Sequence, residues 1–434
     1  MKMLWMVVHG QSVRLALLAL IFMGGSAVAY PGDSKRKPDV GPPPSVRIDV
    51  GPLGFIPPSR AYLSFRYSTT TLDFIDNDSV LFTFRDAGLM HRLPGDPVGD
   101  EDQAIRAVVL DIKTGKAVEE AQWRMHDRQR YLWPLRNGVF MVRQRNSLYL
   151  TDKRLELRPY LQFDTALQAI EIAPDRRLMV IQVQKISAPD ADPPPASNVD
   201  PILGLGAAPR RKRTQVFALR PGETNVLAQT ETRSSVDLPL LTDGFLSLIE
   251  GKDPSRWIIQ KQTFHSDPQT LTEFRSSCLP TLFTVSDAVT LAVGCPPKGG
   301  GDRLVSALSS SGQVLWQDKW KQRYIWPTFD YAEDGSRFAF SSLELNRDVG
   351  FMDYFGADDV QAQMVGVFDT QTGKLELTRD SSPVISAGHN YALSRDGRRF
   401  AILREGAIEI YDLPPIPTAP IATSPPAADS ALAK

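Results

Sequence analysis

Between about residues 58 and 413 the chain alternates short apolar, β-rich runs with turn signals, and the spacing of three and four that marks helices is nearly absent. The pattern predicts an all-β chain built from many short strands. The runs also repeat. One unit is a strand, a turn carrying Asp or Gly, then an apolar strand; it recurs as Ile172-Ala-Pro-Asp-Arg-Arg-Leu-Met-Val-Ile, Tyr331-Ala-Glu-Asp-Gly-Ser-Arg-Phe-Ala-Phe and Leu393-Ser-Arg-Asp-Gly-Arg-Arg-Phe-Ala-Ile. A second unit closes on a tight glycine turn, as in Val109-Leu-Asp-Ile-Lys-Thr-Gly-Lys, Val367-Phe-Asp-Thr-Gln-Thr-Gly-Lys and Leu308-Ser-Ser-Ser-Gly-Gln. Glycine suits the positive backbone angle that such turns need. Arg128-Gln-Arg-Tyr-Leu-Trp-Pro is matched by Lys321-Gln-Arg-Tyr-Ile-Trp-Pro, and such self-similarity at corresponding positions marks a repeat array.

Laid end to end, the units give a β-propeller of about seven blades, with six or eight as the alternatives, starting near residues 71, 131, 167, 236, 278, 327 and 388. The last supplies three strands, 390–395, 398–403 and 407–412, and the strand at about 61–67 is expected to complete it. Pairing the two ends of the chain closes the ring and removes exposed edges.

The flanks read differently. Residues 1–29 form a secretory signal: Lys2 and Arg14, the apolar run 15–23, and the small residues Ala27-Val28-Ala29 at a cleavage site. The run is too short for a permanent membrane span; the alternative is an uncleaved anchor, lengthened by the apolar stretch 4–8. Residues 30–57 are Pro-rich and read as a linker or extended arm, and 414–434 as a low-complexity tail. Export places the chain in the periplasm or outside the cell, where disulfides persist. Cys278 and Cys295 are the two cysteines, and a hairpin turning at Ser286-Asp287 sets them opposite one another within bonding range. The alternative is a pair of buried thiols.

The last blade resembles a WD-repeat. Gly388-His389 precedes Leu393-Ser-Arg-Asp-Gly-Arg-Arg-Phe-Ala, and Gly406-Ala-Ile-Glu-Ile-Tyr-Asp-Leu follows with Tyr-Asp in place of Trp-Asp. Over residues 60–413 the chain is similar to diverged bacterial WD-like and YVTN-type propellers. The resemblance implies the fold and a binding role, and no reaction.

Charge adds little: the 434 residues carry a formal net charge of −1, which gives no global attraction to nucleic acid or an acidic membrane. The histidines, His9, His91, His126, His265 and His389, are solitary and lack metal-ligand spacing. In the WD pattern His389 supports a turn within its blade. No Gly-x-Ser-x-Gly elbow, Ser-x-x-Lys set or phosphate loop is present. Gly312-Gln-Val-Leu-Trp316 resembles the repeats of quinoprotein dehydrogenases, but it stands once, which makes Trp316 a packing residue. No cofactor is expected.

The candidate site is the face that receives the crossings between blades and the long loops 86–105, 186–213 and 345–362. Arg130, Tyr131, Arg323 and Tyr324 precede inner strands there, His389 leads into the last blade, and Phe351, Tyr354 and Phe355 make the third loop aromatic. These are the expected ligand-binding residues. The expected function is a non-enzymatic binding or scaffold propeller for a protein, peptide or envelope ligand. The alternative is a lyase or quinone-type dehydrogenase with a small-molecule site at the channel mouth.

Overall fold

The computed structural model describes residues 39–60, 63, 69–87, 103–126, 130–186, 212–297, 301–350, 353–385 and 389–416. They form seven antiparallel four-stranded sheets arranged as the blades of a propeller. The innermost strands of blades 1 to 7 are Thr71–Asp76, Leu132–Pro134, Leu167–Ile172, Leu240–Leu241, Thr281–Ser286, Tyr324–Tyr331 and Tyr391–Leu393. Among the described residues no helix is long and apolar enough to cross a membrane.

The core is divided into layers between neighbouring blades rather than gathered in one mass, because alternate residues of a strand point to opposite faces of its blade. In blade 1, Phe82 packs with Ile48, Ile408 and Ile410 of blade 7, whereas its neighbour Leu81 packs with Phe140 and Val142 of blade 2. The same division recurs around the ring to the interface of blades 6 and 7, where Val365 and Leu377 meet Tyr391 and Phe400. A fully buried Phe or Leu in such a layer contributes roughly 2–3 kcal/mol. Trp316 is a packing residue: its ring stacks on Phe338 of the next blade, and its Nε1 donates to the Thr370 carbonyl at 3.0 Å.

Closure uses the N-terminal side of the chain, as expected, but a different strand. Blade 7 contains Arg399–Arg404 and Ala407–Asp412, and its fourth strand is Val46–Asp49 rather than residues 61–67. Val46 lies opposite Ile410 and Ile48 opposite Ile408. The reason is visible in the side chains. Ile48 reaches the layer shared with blade 1, while Arg47 pairs with the buried Glu409. Upstream, Arg379 donates to the carbonyls of Val40 and Pro42, and Arg404 binds Asp39 at 2.9 Å and Asp380 at 3.0 Å. Of residues 61–67 only Leu63 is described, buried against Leu343, Leu345 and Val360.

Cys278 and Cys295 are bonded, with Cα atoms 5.5 Å apart. Ser276, fully buried, fixes both ends of the bridge: its Oγ donates to the Cys278 carbonyl at 2.6 Å and accepts from the Cys295 N–H at 2.9 Å.

Candidate functional site

The innermost strands surround a central cavity of about 340 Å3, at the lower end of the range for small-ligand sites, roughly 300–1,000 Å3. Its wall runs from the crossings at the loop-bearing end, where Arg130, Leu238 and His389 lie, to Ala173, Pro174 and Arg176 in the turns at the other end. That far end is spanned by side chains. Arg136, just past the inner strand of blade 2, binds Glu333, just past that of blade 6, at 2.7 Å. Two blades separate them around the ring, so this ion pair crosses the axis. Arg176 and Arg395 both donate to the Leu135 carbonyl beside it, at 3.3 and 3.2 Å.

Charged groups of both signs meet on the wall. Asp73 comes from blade 1 and Asp330 from blade 6; Arg130 comes from the crossing into blade 2, and Arg176 from blade 3. Asp330 accepts from the Leu393 N–H at 2.6 Å. Asp73 is only 8% exposed, and among the described residues no hydrogen-bond donor or ion-pair partner reaches its carboxyl. Burial, reinforced by the like charge of Asp330, pushes Asp73 up to about 8 against the pull of Arg130 and Arg176. Burial likewise raises Asp330. The Arg130 side chain is exposed to the cavity, and the surrounding protein lowers its proton affinity. Its Nε donates to the Leu132 carbonyl at 3.1 Å, and its guanidinium sits 5.4 Å from the centre of the Trp133 ring. His389 is held neutral, down to about 3, by burial and then by Arg130. Glu171 is pushed up to about 7, mainly by burial, although its carboxylate accepts from the Leu238 N–H at 3.0 Å.

Of the residues expected from sequence, the cavity gathers Arg130 and His389. Tyr131 lies within the blade, its hydroxyl donating to the Thr69 carbonyl at 2.7 Å. Arg323 binds Glu344 at 3.0 Å and lies over Tyr324, with 5.9 Å to the ring centre, away from the cavity. The two matching segments therefore diverge. The inner strand of blade 6 begins already at Tyr324 and breaks register between Ile325 and Thr328, where Trp326 takes a φ of 50°. Tyr354, 86% exposed, and Phe355 line a separate depression of about 110 Å3 with Trp326 and Val360, and Phe355 lies 5.1 Å from the Trp326 ring. Phe351 lies outside the described residues. Sequence reasoning missed Asp73, Asp330, Arg176 and Glu171. The usable signal was an acidic residue within an innermost strand, as in Thr71-Leu-Asp-Phe-Ile-Asp, where a blade layer has no place for it.

No family model and no curated protein sequence matches this chain. Solved structures do. The Pyrococcus horikoshii acylaminoacyl peptidase in its orthorhombic form matches with a TM-score of 0.45 and 12% identity over 80% of this chain and 53% of its own. The C-terminal WD40 domain of Sif2 matches with a TM-score of 0.36 and 10% identity, over 80% and 97%. The N-terminal domain of Nup159 gives 0.40 and 11%, over 86% and 96%. The likeness is one of fold alone. This chain spans about half the length of the peptidase it matches, and neither ligand nor reaction carries over.

Proposed function

We propose that this chain is an exported, non-enzymatic binding propeller of the diverged WD-like and YVTN-type group, which takes an envelope ligand into its central cavity from the loop-bearing face. One observation carries this reading. Asp73 lines the cavity wall, 8% exposed, with no protein donor to its carboxyl among the described residues, so its hydrogen-bonding capacity is left to water or a ligand, and a direct bond to a charged group is worth about 1.5–3 kcal/mol. A ligand donor takes up that capacity. The ion pair of Arg136 and Glu333 across the opposite end supports entry from the loop side. Export is supported by the signal-like N-terminus and by the bonded cysteines.

A second reading, an acid–base enzyme such as a lyase, is favoured by Asp73 at about 8 and Glu171 at about 7 on one cavity wall, because groups poised near neutrality suit proton transfer. The test of both is to incubate the purified protein with an envelope extract and identify retained species by mass spectrometry. A variant with the cavity obstructed, Ile172→Trp, is carried alongside and checked for folding by its melting curve. A species retained unchanged by the parent and lost in the variant is the expected result. Equal retention by both proteins refutes the cavity as the site, and chemical conversion of the species establishes the enzyme reading.

A further inference from the structure

The cavity holds opposite charges that do not satisfy one another. Among the described residues Asp73 has no ion-pair partner, and Arg130 hydrogen-bonds through its Nε alone, to the Leu132 carbonyl. Both are fixed. Asp73 sits in a paired strand opposite Leu81, and Arg130 is held by its own backbone bond and the Trp133 ring. Opposite charges partly withdrawn from water only to neutralise each other close to contact, since separation leaves the desolvation of each uncompensated. These do not form an ion pair, and Asp330 and Arg176 line the same cavity, close enough to act electrostatically on Asp73 without an ion pair.

We infer that the ligand is a small zwitterion, an unblocked short peptide or α-amino acid, whose ammonium binds between Asp73 and Asp330 and whose carboxylate takes the terminal guanidinium nitrogens of Arg130. This rests on the cavity being the ligand site. A guanidinium presents a planar fork that matches a carboxylate, and carboxylates accept from all three protons of an ammonium. The volume, about 340 Å3, suits a molecule of this size, and Phe283 and Phe329 supply apolar wall for its side chains. His389, held neutral, adds no charge that repels the ammonium. Asp73 holds its proton up to about pH 8, so binding an ammonium at pH 7 releases a proton.

The experiment is equilibrium dialysis of the whole protein at pH 7 and 8 against a mixed dipeptide pool, the same pool N-acetylated, and the same pool as C-terminal amides, with retained species counted by mass spectrometry. The expected result is retention of unblocked dipeptides and a loss of about tenfold or more on blocking either end. Asp73→Asn is expected to weaken the unblocked pool by at least about tenfold while leaving the N-acetylated pool unchanged, and Arg130→Gln to do the same with respect to the amides. Each variant is checked for a cooperative melting transition no lower than the parent's. Blocked pools that bind as well as the unblocked one, and are lost in Ile172→Trp, overturn the zwitterion and leave the cavity reading standing. Retention of unblocked dipeptides that ignores Asp73→Asn, or no retention of any pool, also overturns it; the envelope-extract experiment then judges the cavity separately.

Discussion

Replacing Asp73 by Asn makes the empty protein more stable, and only at neutral to alkaline pH. In the folded chain the Asp73 carboxyl keeps its proton up to about pH 8, whereas an unperturbed carboxyl loses it near 3.8. The folded state thus binds more protons across that window. Its contribution is fully present below pH 3.8, is eroded as pH rises, and is gone above about 8. Each tenfold change in proton affinity is worth about 1.4 kcal/mol, which sets a ceiling of about 5–6 kcal/mol between the two limits. A cavity of this size admits water, which relieves part of the burial, so about 2–3 kcal/mol is expected in practice. Asn keeps the shape and cannot ionise. Glu171, His389 and Asp330 titrate in both proteins, so they largely cancel in the comparison. Urea unfolding at pH 4 and pH 8.5 measures the effect: the two proteins should agree at pH 4, and the variant should gain about 2–3 kcal/mol at pH 8.5. Parallel pH profiles, or a variant weaker at every pH, would show that Asp73 is ionised and satisfied, and would remove the basis of the ligand site.

Three further outcomes follow from the packing. Reducing the bridge between Cys278 and Cys295, or replacing both by Ser, should lower stability by about 3 kcal/mol for a loop of this length, read as a shift in the urea midpoint. Gly244→Ala should cost about 3 kcal/mol or more, because a Cβ there would stand 1.9 Å from the Gln262 carbonyl oxygen on the paired strand; a parent-like melting curve would contradict the register of blade 4. Ile48→Asp should detach the closing strand, by placing a charge in the layer between blades 7 and 1, and limited proteolysis should then cut first within residues 39–50.

The blades were legible because their turns are written in the sequence. Gly115, Gly373, Gly335 and Gly397 all take the positive φ that the Thr-Gly and Asp-Gly turns require, and Trp316 packs between blades as its solitary motif suggests. The closing strand was hidden for two reasons. Val46-Arg-Ile-Asp is four residues long and follows Pro42-Pro-Pro, so its alternation is swamped by the composition around it. Its partner also lies near residue 410, and nothing local announces so distant a pairing. The site was legible only at its rim. Arg130 and His389 sit in crossings, whose face follows from strand order alone. Asp73 and Asp330 lie within strands, and what they meet depends on how seven blades tilt around an axis, a property of the whole ring.

Closure and the cavity are mechanically one feature. The Leu72 N–H of blade 1 donates to the His389 carbonyl at 2.6 Å, and the Leu393 N–H of blade 7 donates to Asp330 of blade 6 at 2.6 Å. Blade 7 is thus the wedge that sets the distance between Asp73 and Asp330, and its outermost strand comes from the other end of the chain, with Ser45 and Ile410 bonded across a sequence separation of 365. Two consequences follow. The ring cannot be completed until the last blade has been made, and contacts so far apart in sequence form slowly. The clasp at Asp39 and the strand Val46–Asp49 are therefore part of the ring, and loss of that strand strips blade 7 of its edge and loosens the wall that holds the two carboxyls at their spacing.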